Sequence, residues 1–357
     1  MARIRLDNVT KSFGHHAAVD GLSLDIADGE FFVLLGPTGA GKTTTLRLIA
    51  GLEKPSSGAI EIDGQNVADW SAAERDVALV FQYYSLYPRY TVRQNLEFPL
   101  KSNTRNYTAE QIVERIARAA KTLRIEHLLD RKTDRLSGGE MQRVSIGRAI
   151  VREPRVFLMD EPLSNLDAKL REALRAELKE LQMKLKATFL FVTHDQIEAM
   201  SMGDKVGILN EGKIVQVGTP YEIYNRPKNT FVASFVGSPS INFMPADISG
   251  NKLSAMSGKL KLSVSNSVKD AAVLLGIRSE DVTVGPGEAV SARVHDVENH
   301  GVEKIVTLCV DDLYFKATAP SSLTLKIDGT TKFSFSQDKL HFFDRQTGAR
   351  LDGGERP

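Results

Sequence analysis

Residues 31–45, FFVLLGPTGAGKTTT, decide the fold. Phe31 to Leu35 is an apolar run suited to a buried strand, and Thr44 to Leu52 has helical spacing through Leu46, Ile49 and Ala50. Between them, Gly36-x-x-x-x-Gly41-Lys42-Thr43 satisfies the P-loop pattern in the strand–loop–helix context it needs. Glycines at 36, 39 and 41 are expected to take positive φ and to bring backbone N–H groups against a polyphosphate, at the positive end of the following helix. Lys42 suits the β- and γ-phosphates. The Thr43 hydroxyl suits the accompanying Mg²⁺.

Upstream, Ile4–Val9 and Leu22–Ile26 alternate apolar and polar residues as half-buried strands do, with Gly14 and Gly29 at turns. Phe13 is expected in the loop between them, where its ring could stack on a base or plug the core. Downstream, Gly51 is placed to end the P-loop helix, and Ala59–Asp63 and Val77–Phe81 read as further strands. The latter delivers Gln82, whose amide suits Mg²⁺ or the positioning of a water. The following YYSLYPRYTV carries tyrosines at 83, 84, 87 and 90, and reads either as a packed loop or as a contact surface.

Residues 108–130 have helical apolar spacing through Ile112, Ile116, Ala119 and Leu123. They lead to LSGGEMQR, 136–143, which opens a helix running to about Val151. Ser137 and Glu140 fit a capping box, which needs no ligand, yet glycines beside a helix start also suit a phosphate contact. Arg155–Pro162, RVFLMDEP, is an apolar strand ending in two carboxylates. Asp160 suits Mg²⁺ and Glu161 suits proton abstraction from an attacking water. A helix then begins at 164–167, SNLD, with Leu166, Leu170, Leu174, Leu178, Leu181 and Leu185 on one face as core packing. Thr188–Val192 is another buried strand with His194 just beyond it. Gly36, Gln82, Asp160 and His194 thus stand at carboxyl ends of apolar strands, where open α/β sheets bind ligands.

Composition sets the bounds. The 357 residues leave room for two domains, and 42% hydrophobic with 25% charged residues is ordinary for a globular chain. A net charge of +1 argues against a mainly electrostatic nucleic-acid binder. The single cysteine, Cys309, allows no intramolecular disulfide or cysteine-rich metal site. The first residues lack the apolar core of a signal peptide and no stretch approaches a membrane span, which predicts a cytosolic chain. From about Thr230 the pattern changes to short alternating segments, of which Leu274–Ile277, Val290–Val294, Ile305–Val310 and Leu313–Ala317 are the clearest strands of an all-β barrel or sandwich.

Residues 1 to about 235 resemble the nucleotide-binding domain of an ATP-binding cassette (ABC) transporter, with LSGGEMQR matching the family's signature motif. The later segments FVASFVGSPSINFMPA, LLGIRSEDV and DKLHFFDRQTGARL resemble the carboxyl-terminal extension of carbohydrate-importer ATPases of the maltose and glycerol-phosphate type. The implied fold is α/β: a P-loop ABC domain over 1–235 with a helical subdomain about 88–154, then an all-β, OB-like (TOBE/MOP-type) domain over 236–357. The resemblance implies ATP and Mg²⁺, with Phe13 stacking on adenine and Gly36, Pro37, Thr38, Gly39, Ala40, Gly41, Lys42, Thr43 and Thr44 cradling the phosphates. It makes Gln82 the Q-loop residue, Glu161 the catalytic base, Asp167 the D-loop residue and His194 the switch histidine. Lys42, Gln82 and His194 would serve catalysis beside Glu161, and Thr43, Gln82 and Asp160 would hold the metal. A head-to-tail homodimer is implied, with Ser137, Gly138 and Gly139 of one chain at the γ-phosphate held by the other.

Two departures stand out: Glu140 replaces the glutamine common in importers, and Ser279 the usual proline. The expected role is the ATPase of a bacterial sugar importer. It would be peripheral on the cytoplasmic face of the inner membrane, beneath two permease subunits fed by an extracytoplasmic binding protein, with no nucleic-acid partner. Other importer cargoes are polyamine, ferric ion or an anion. A soluble ABC ATPase acting on nucleic acid or ribosomes is the alternative of another class, opposed by the single cassette and near-neutral charge.

Overall fold

The computed structural model describes residues 2–101, 107–250, 252–263, 271–285, 290–335 and 337–351. The chain divides into two compact units, Met1–Pro220 and Tyr221–Pro357. The first runs β1 (Ile4–Phe13), β2 (His16–Ile26), β3 (Phe31–Leu35), α1 (Lys42–Ala50), β4 (Ser57–Ile62), β5 (Gln65–Asn66), β6 (Val77–Val80) and α2 (Val92–Glu97). It continues through α3 (Ala109–Leu123), α4 (Gly138–Ile150), β7 (Val156–Asp160), α5 (Ala168–Leu185), β8 (Thr188–Thr193), α6 (Gln196–Met202), β9 (Lys205–Asn210) and β10 (Lys213–Gly218).

The central sheet has the order β10-β9-β3-β8-β7-β6. All neighbours are parallel except β10, which closes the edge antiparallel to β9. Every residue of β3 and β8 is buried, as expected of parallel strands covered on both faces. Phe189 stacks between Phe31 and Phe157, with ring centroids 5.4 and 4.6 Å away. Each such buried side chain contributes about 1.5–3 kcal/mol through loss of apolar surface to water. A second, antiparallel sheet has the order β2-β1-β4-β5. Leu6, Ile26 and Ile60 from it share one core with Leu46 and Ile49 of α1 and with Leu158 and Val192 of the central sheet. The P-loop helix is therefore anchored by packing on its apolar face while its first turn stays free for chemistry.

The helix expected over 108–130 is shorter. Arg124 adopts a left-handed backbone, φ 56°, and its N–H turns back to the carbonyls of Ala120 and Lys121, ending α3. Glu126–Leu128 forms a separate 3₁₀ turn. Phe13 is not in a loop but closes β1, paired with His16. β9 and β10 were not marked by the sequence reading.

The second unit opens within the first turn of α7 (Pro220–Asn225) and continues through α8 (Thr230–Phe235). β11 (Asn242–Ser249), β12 (Lys252–Ala255), β13 (Leu260–Ser263), β14 (Ala271–Ile277), β15 (Val282–Val284), β16 (Val290–Asn299), β17 (Glu303–Val310), β18 (Leu313–Pro320), β19 (Thr330–Phe335) and β20 (His341–Asp344) follow. They form two five-stranded sheets, β13-β12-β11-β14-β20 and β15-β19-β16-β17-β18. β11 alternates buried and outward residues along its length, as a sheet with one wet face does. Met244, Leu275, Val306, Phe315 and Phe333 meet in the core between the sheets.

The division falls at 220/221 rather than at the expected 235/236. The reason is Arg278, only 2% exposed, which reaches back from the end of β14. It donates to the carbonyls of Tyr224 (3.0 Å), Ala233 (3.0 Å) and Val236, and stacks on the Tyr224 ring at 4.1 Å. A buried guanidinium whose two Nη groups find their acceptors on α7 and at α8, while its Nε is left without a hydrogen-bond partner, makes them part of the β unit.

Candidate active site

The P-loop glycines do different work from one another. Gly39 and Gly41 take positive φ, 82° and 102°, but Gly36 does not. Gly36 is required for space instead: a Cβ there would lie 2.3 Å from the carbonyl oxygen of Leu209. Gly41 caps α1 with no side-chain hydrogen bond, and the first turn holds no acidic residue. Its backbone donors are left for an anion. Ala40 is pinned by hydrogen bonds from its N–H to Pro37 (3.2 Å) and to its carbonyl from Gly212 (3.0 Å). Thr38 is exposed at the loop tip and Thr44 half-buried in the first turn.

Lys42 is buried, and its ammonium group donates to the carbonyls of Gly36 at 3.0 Å and Pro37 at 3.1 Å. It also lies 3.5 Å from Glu161 Oε1. The Thr43 hydroxyl donates to Asp160 Oδ1 at 2.9 Å. Burial pushes the Asp160 carboxyl above its ordinary value, partly offset by that hydrogen bond. A hydroxyl beside a half-buried carboxylate at a strand end is an oxygen-only donor pair of the kind Mg²⁺ takes.

Glu161 has a left-handed backbone, φ 45°, uncommon for a residue with a side chain. Its N–H donates to the Val192 carbonyl at 3.0 Å, which locks the turn onto β8. The side chain is held at both oxygens, Oε1 by Lys42 and Oε2 by His194 Nδ1 at 2.9 Å. Strain of this kind concentrates where function over-determines geometry.

Gln82 lies two residues beyond the end of β6. Its amide donates to Ser164 Oγ at 3.3 Å, Ser164 donates to the Glu161 carbonyl at 2.9 Å, and Asn165 donates to the Gln82 carbonyl at 3.1 Å. It is thus tied to the segment after Glu161 rather than to Thr43 or Asp160. Asp167 caps α5, accepting from the Leu170 N–H at 3.0 Å. Phe13 is half-exposed with the Lys11 ammonium 4.9 Å from its ring centroid.

Ser137, Gly138 and Gly139 stand apart. Ser137 and Glu140 complete a capping box at the start of α4, with the Ser137 N–H 2.7 Å from Glu140 Oε2. A Cβ at Gly139 would lie 2.3 Å from Leu170 Cδ2, so α4 packs against α5 at that point. No hydrogen bond or ion pair among the described residues joins 137–139 to 36–43. Sequence reading did not assign Ser164 or Asn165 beyond a helix start, nor Arg171, Asp195 and Glu198 at all. Asp195 followed three residues later by Glu198 is a helix-start signal, and Asp195 does cap α6.

Two family models match the chain, "ABC transporter" over residues 19–164 and "MalK OB fold domain" over 237–282. The trehalose/maltose import ATP-binding protein of Thermococcus litoralis is 46% identical over 373 aligned positions, covering 98% of this chain and 100% of that protein. The chain belongs to the ABC transporter ATPases. An sn-glycerol-3-phosphate import ATP-binding protein of Rhizobium meliloti is 48% identical, covering 98% of this chain and 100% of its own length. Among solved structures, cbiO1 of Clostridium perfringens, part of the ABC transporter complex cbiONQ, aligns with a TM-score of 0.58 at 30% identity, over 62% of this chain and 89% of that one. A dimeric ATP-binding cassette bound to ADP and Pi aligns at 0.55 and 32% identity, over 61% and 98%. The architecture is accordingly a P-loop ABC ATPase fold followed by an all-β OB-type domain, and the relatives are ATP-binding subunits of sugar and glycerol-phosphate importers. Among the described residues, no helix is long and apolar enough to cross a membrane.

Proposed function

We propose that this ABC ATPase powers uptake of a sugar or sugar derivative, working as a homodimer on the cytoplasmic face of the membrane beneath two permease subunits fed by an external binding protein. The observation that carries the hydrolytic role is Glu161, bridged between Lys42 and His194 immediately after Asp160. The cargo class rests on likeness along the full chain, including the β unit, to importers of sugars and glycerol phosphate.

The P-loop backbone and Lys42 bind the β- and γ-phosphates, Lys42 exchanging its carbonyl partners for phosphate oxygens. Thr43 and Asp160, with Gln82, would hold Mg²⁺, which would supply charge neutralisation for phosphoryl transfer. Glu161 takes the proton of the attacking water, and His194 orients it and the γ-phosphate. Phe13 offers a half-exposed ring to adenine. Ser137, Gly138 and Gly139, with Asp167, complete the site of the partner chain, which accounts for a glycine-rich helix start without polar contact to its own P-loop. The tyrosine-rich loop at 83–90, where Tyr83 is 73% exposed and Tyr87 packs on Phe98 and Tyr90, transmits closure to the permease.

The test is to co-purify the chain with its membrane partners and assay uptake of labelled sugars. ATP-dependent import of a sugar supports the assignment; import of only a polyamine or metal ion overturns the cargo. Mixing Lys42→Ala with a folded Ser137→Arg variant tests shared sites, since mixed dimers retain one intact site. Full activity from an enforced monomer contradicts sharing.

A further inference from the structure

Arg171, on the first turns of α5, is bonded to both segments that flank the reacting centre. Its Nη2 donates to the carbonyl of Leu166 at 3.0 Å and lies 3.5 Å from that of Ser164, in the segment joining Glu161 to Asp167. Its Nη1 lies 3.4 Å from Asp195 Oδ2, and its Nε faces Glu198 Oε1 at 3.9 Å. These two carboxylates frame the turn that carries His194. Asp195 accepts from the N–H groups of Ile197 and Glu198, while Glu198 accepts from Thr193 Oγ1 at 2.6 Å, and Thr193 Oγ1 in turn accepts from the Asp195 N–H at 2.9 Å. Glu198 is 2% exposed, so its charge is compensated inside the protein and not by solvent. The Arg171 Nε, buried and without a hydrogen-bond partner, has the Glu198 carboxylate as its charge partner.

We infer that Arg171 is a positioning residue for hydrolysis: its guanidinium clamps the segment after Glu161 to the turn bearing His194, and so holds the Glu161–His194 pair in register. The inference rests on the ATPase assignment of Glu161 and His194. A planar fork satisfies acceptors in several directions at once, whereas an ammonium group is a point charge on a flexible stem. The clamp also links Asp167, which caps the helix carrying Arg171, to His194.

The experiment compares wild type, Arg171→Ala, Arg171→Lys and Asp195→Asn in the full chain, reading Mg-ATP affinity, kcat, KM and thermal stability separately. Asp195→Asn keeps the cap of α6, because asparagine caps as well as aspartate does, and removes only the charge facing Arg171. It serves if Arg171→Ala does not fold. The expected result is affinity within about twofold of wild type and kcat lowered about 10- to 100-fold, the scale of an ångström's misplacement at a reacting centre. Arg171→Lys recovers little. In a His194→Ala background, Arg171→Ala lowers kcat by less than about threefold, because the group it positions is already gone.

A folded Arg171→Ala or Asp195→Asn with wild-type kcat overturns the inference, as does a kcat loss fully additive with His194→Ala. The underlying assignment has its own control in Glu161→Gln. If wild type hydrolyses ATP and Glu161→Gln does not, an unaffected Arg171→Ala refutes this inference alone; if wild type does not hydrolyse ATP, the assignment falls and the inference with it.

Discussion

Two helices of this chain begin with glycine-rich turns, and they meet their unpaired N–H groups in opposite ways. α1 starts from Gly41 in a left-handed conformation with no side-chain cap and no acidic residue in its first turn. α4 starts from Ser137 with a complete capping box, and Glu140 places a carboxylate at the end of the helix dipole. Backbone hydrogen bonding also holds Glu140 below the ordinary carboxylate range, so it is charged at neutral pH. The first start leaves its donors open to an anion; the second fills the Ser137 and Glu140 N–H groups through the capping box and leaves those of Gly138 and Gly139 open. What it offers a phosphate is the N–H pair of Gly138 and Gly139, beside a Ser137 hydroxyl already engaged with Glu140 and against the charge of that carboxylate. The difference teaches that a glycine-rich helix start is a binding site in proportion to the donors it leaves unfilled.

The largest effect expected is that of Glu161→Gln on the open site. The substitution keeps shape and hydrogen bonding but removes basicity, so ATP still binds while turnover falls by roughly 10²- to 10⁴-fold, the usual worth of a general base. Turnover and size-exclusion mass in Mg-ATP read this together, with a trapped dimer as the accompanying result. Wild-type turnover would place the base elsewhere, His194 being next.

Lys42→Ala removes the buried charge of the P-loop, proposed to bind the phosphates, and leaves α1 packed. Losing a charge-assisted hydrogen bond of about 1.5–3 kcal/mol weakens ATP binding on the order of 10- to 100-fold. Titration of nucleotide against the folded variant measures it, and unchanged affinity would remove the contrast between the two helix starts.

Asp160→Asn separates stability from activity. Because burial raises the Asp160 carboxyl in the folded protein, the native state holds its proton more tightly than the unfolded chain does. Its contribution to stability is present below the ordinary aspartate value and lost as pH rises through the raised folded value. Asparagine has no such loss and still accepts from Thr43. The ligand-free variant should melt a few degrees above wild type at neutral pH and level with it in acid, while Mg-dependent hydrolysis is lost. Equal melting at neutral pH would mean that the carboxylate costs the fold nothing.

The smallest effect sharpens the comparison most. Glu140→Gln retains the capping box but removes the charge from the α4 dipole, costing about 0.3–1 kcal/mol of stability. The same loss of repulsion should strengthen ATP-driven dimer closure about two- to fivefold, read as a lower ATP concentration for half-maximal dimer. Weaker closure would show that the carboxylate assists the phosphate contact.

What the sequence by itself determined is local. The β3–loop–α1 cradle, the strand ending at Asp160 and Glu161, the cap of α4 and the alternation of the C-terminal strands each depend on residues close along the chain, where periodicity and turn chemistry act directly. Gly36 shows the limit. Its place in the motif was plain, but its reason, the Leu209 carbonyl from a strand the sequence reading did not mark, is a contact between distant segments. Only the tertiary structure decided that Glu161 is held between Lys42 and His194, that Gln82 bonds to Ser164, and that Arg171 joins the turns on either side of the site. It alone assigned α7 and α8 to the β unit, because Arg278 finds its acceptors 42 to 54 residues upstream. The physical reason is the same in each case: a charged group pays its desolvation only when partners surround it, and which partners those are is settled by packing across the chain and not by spacing along it.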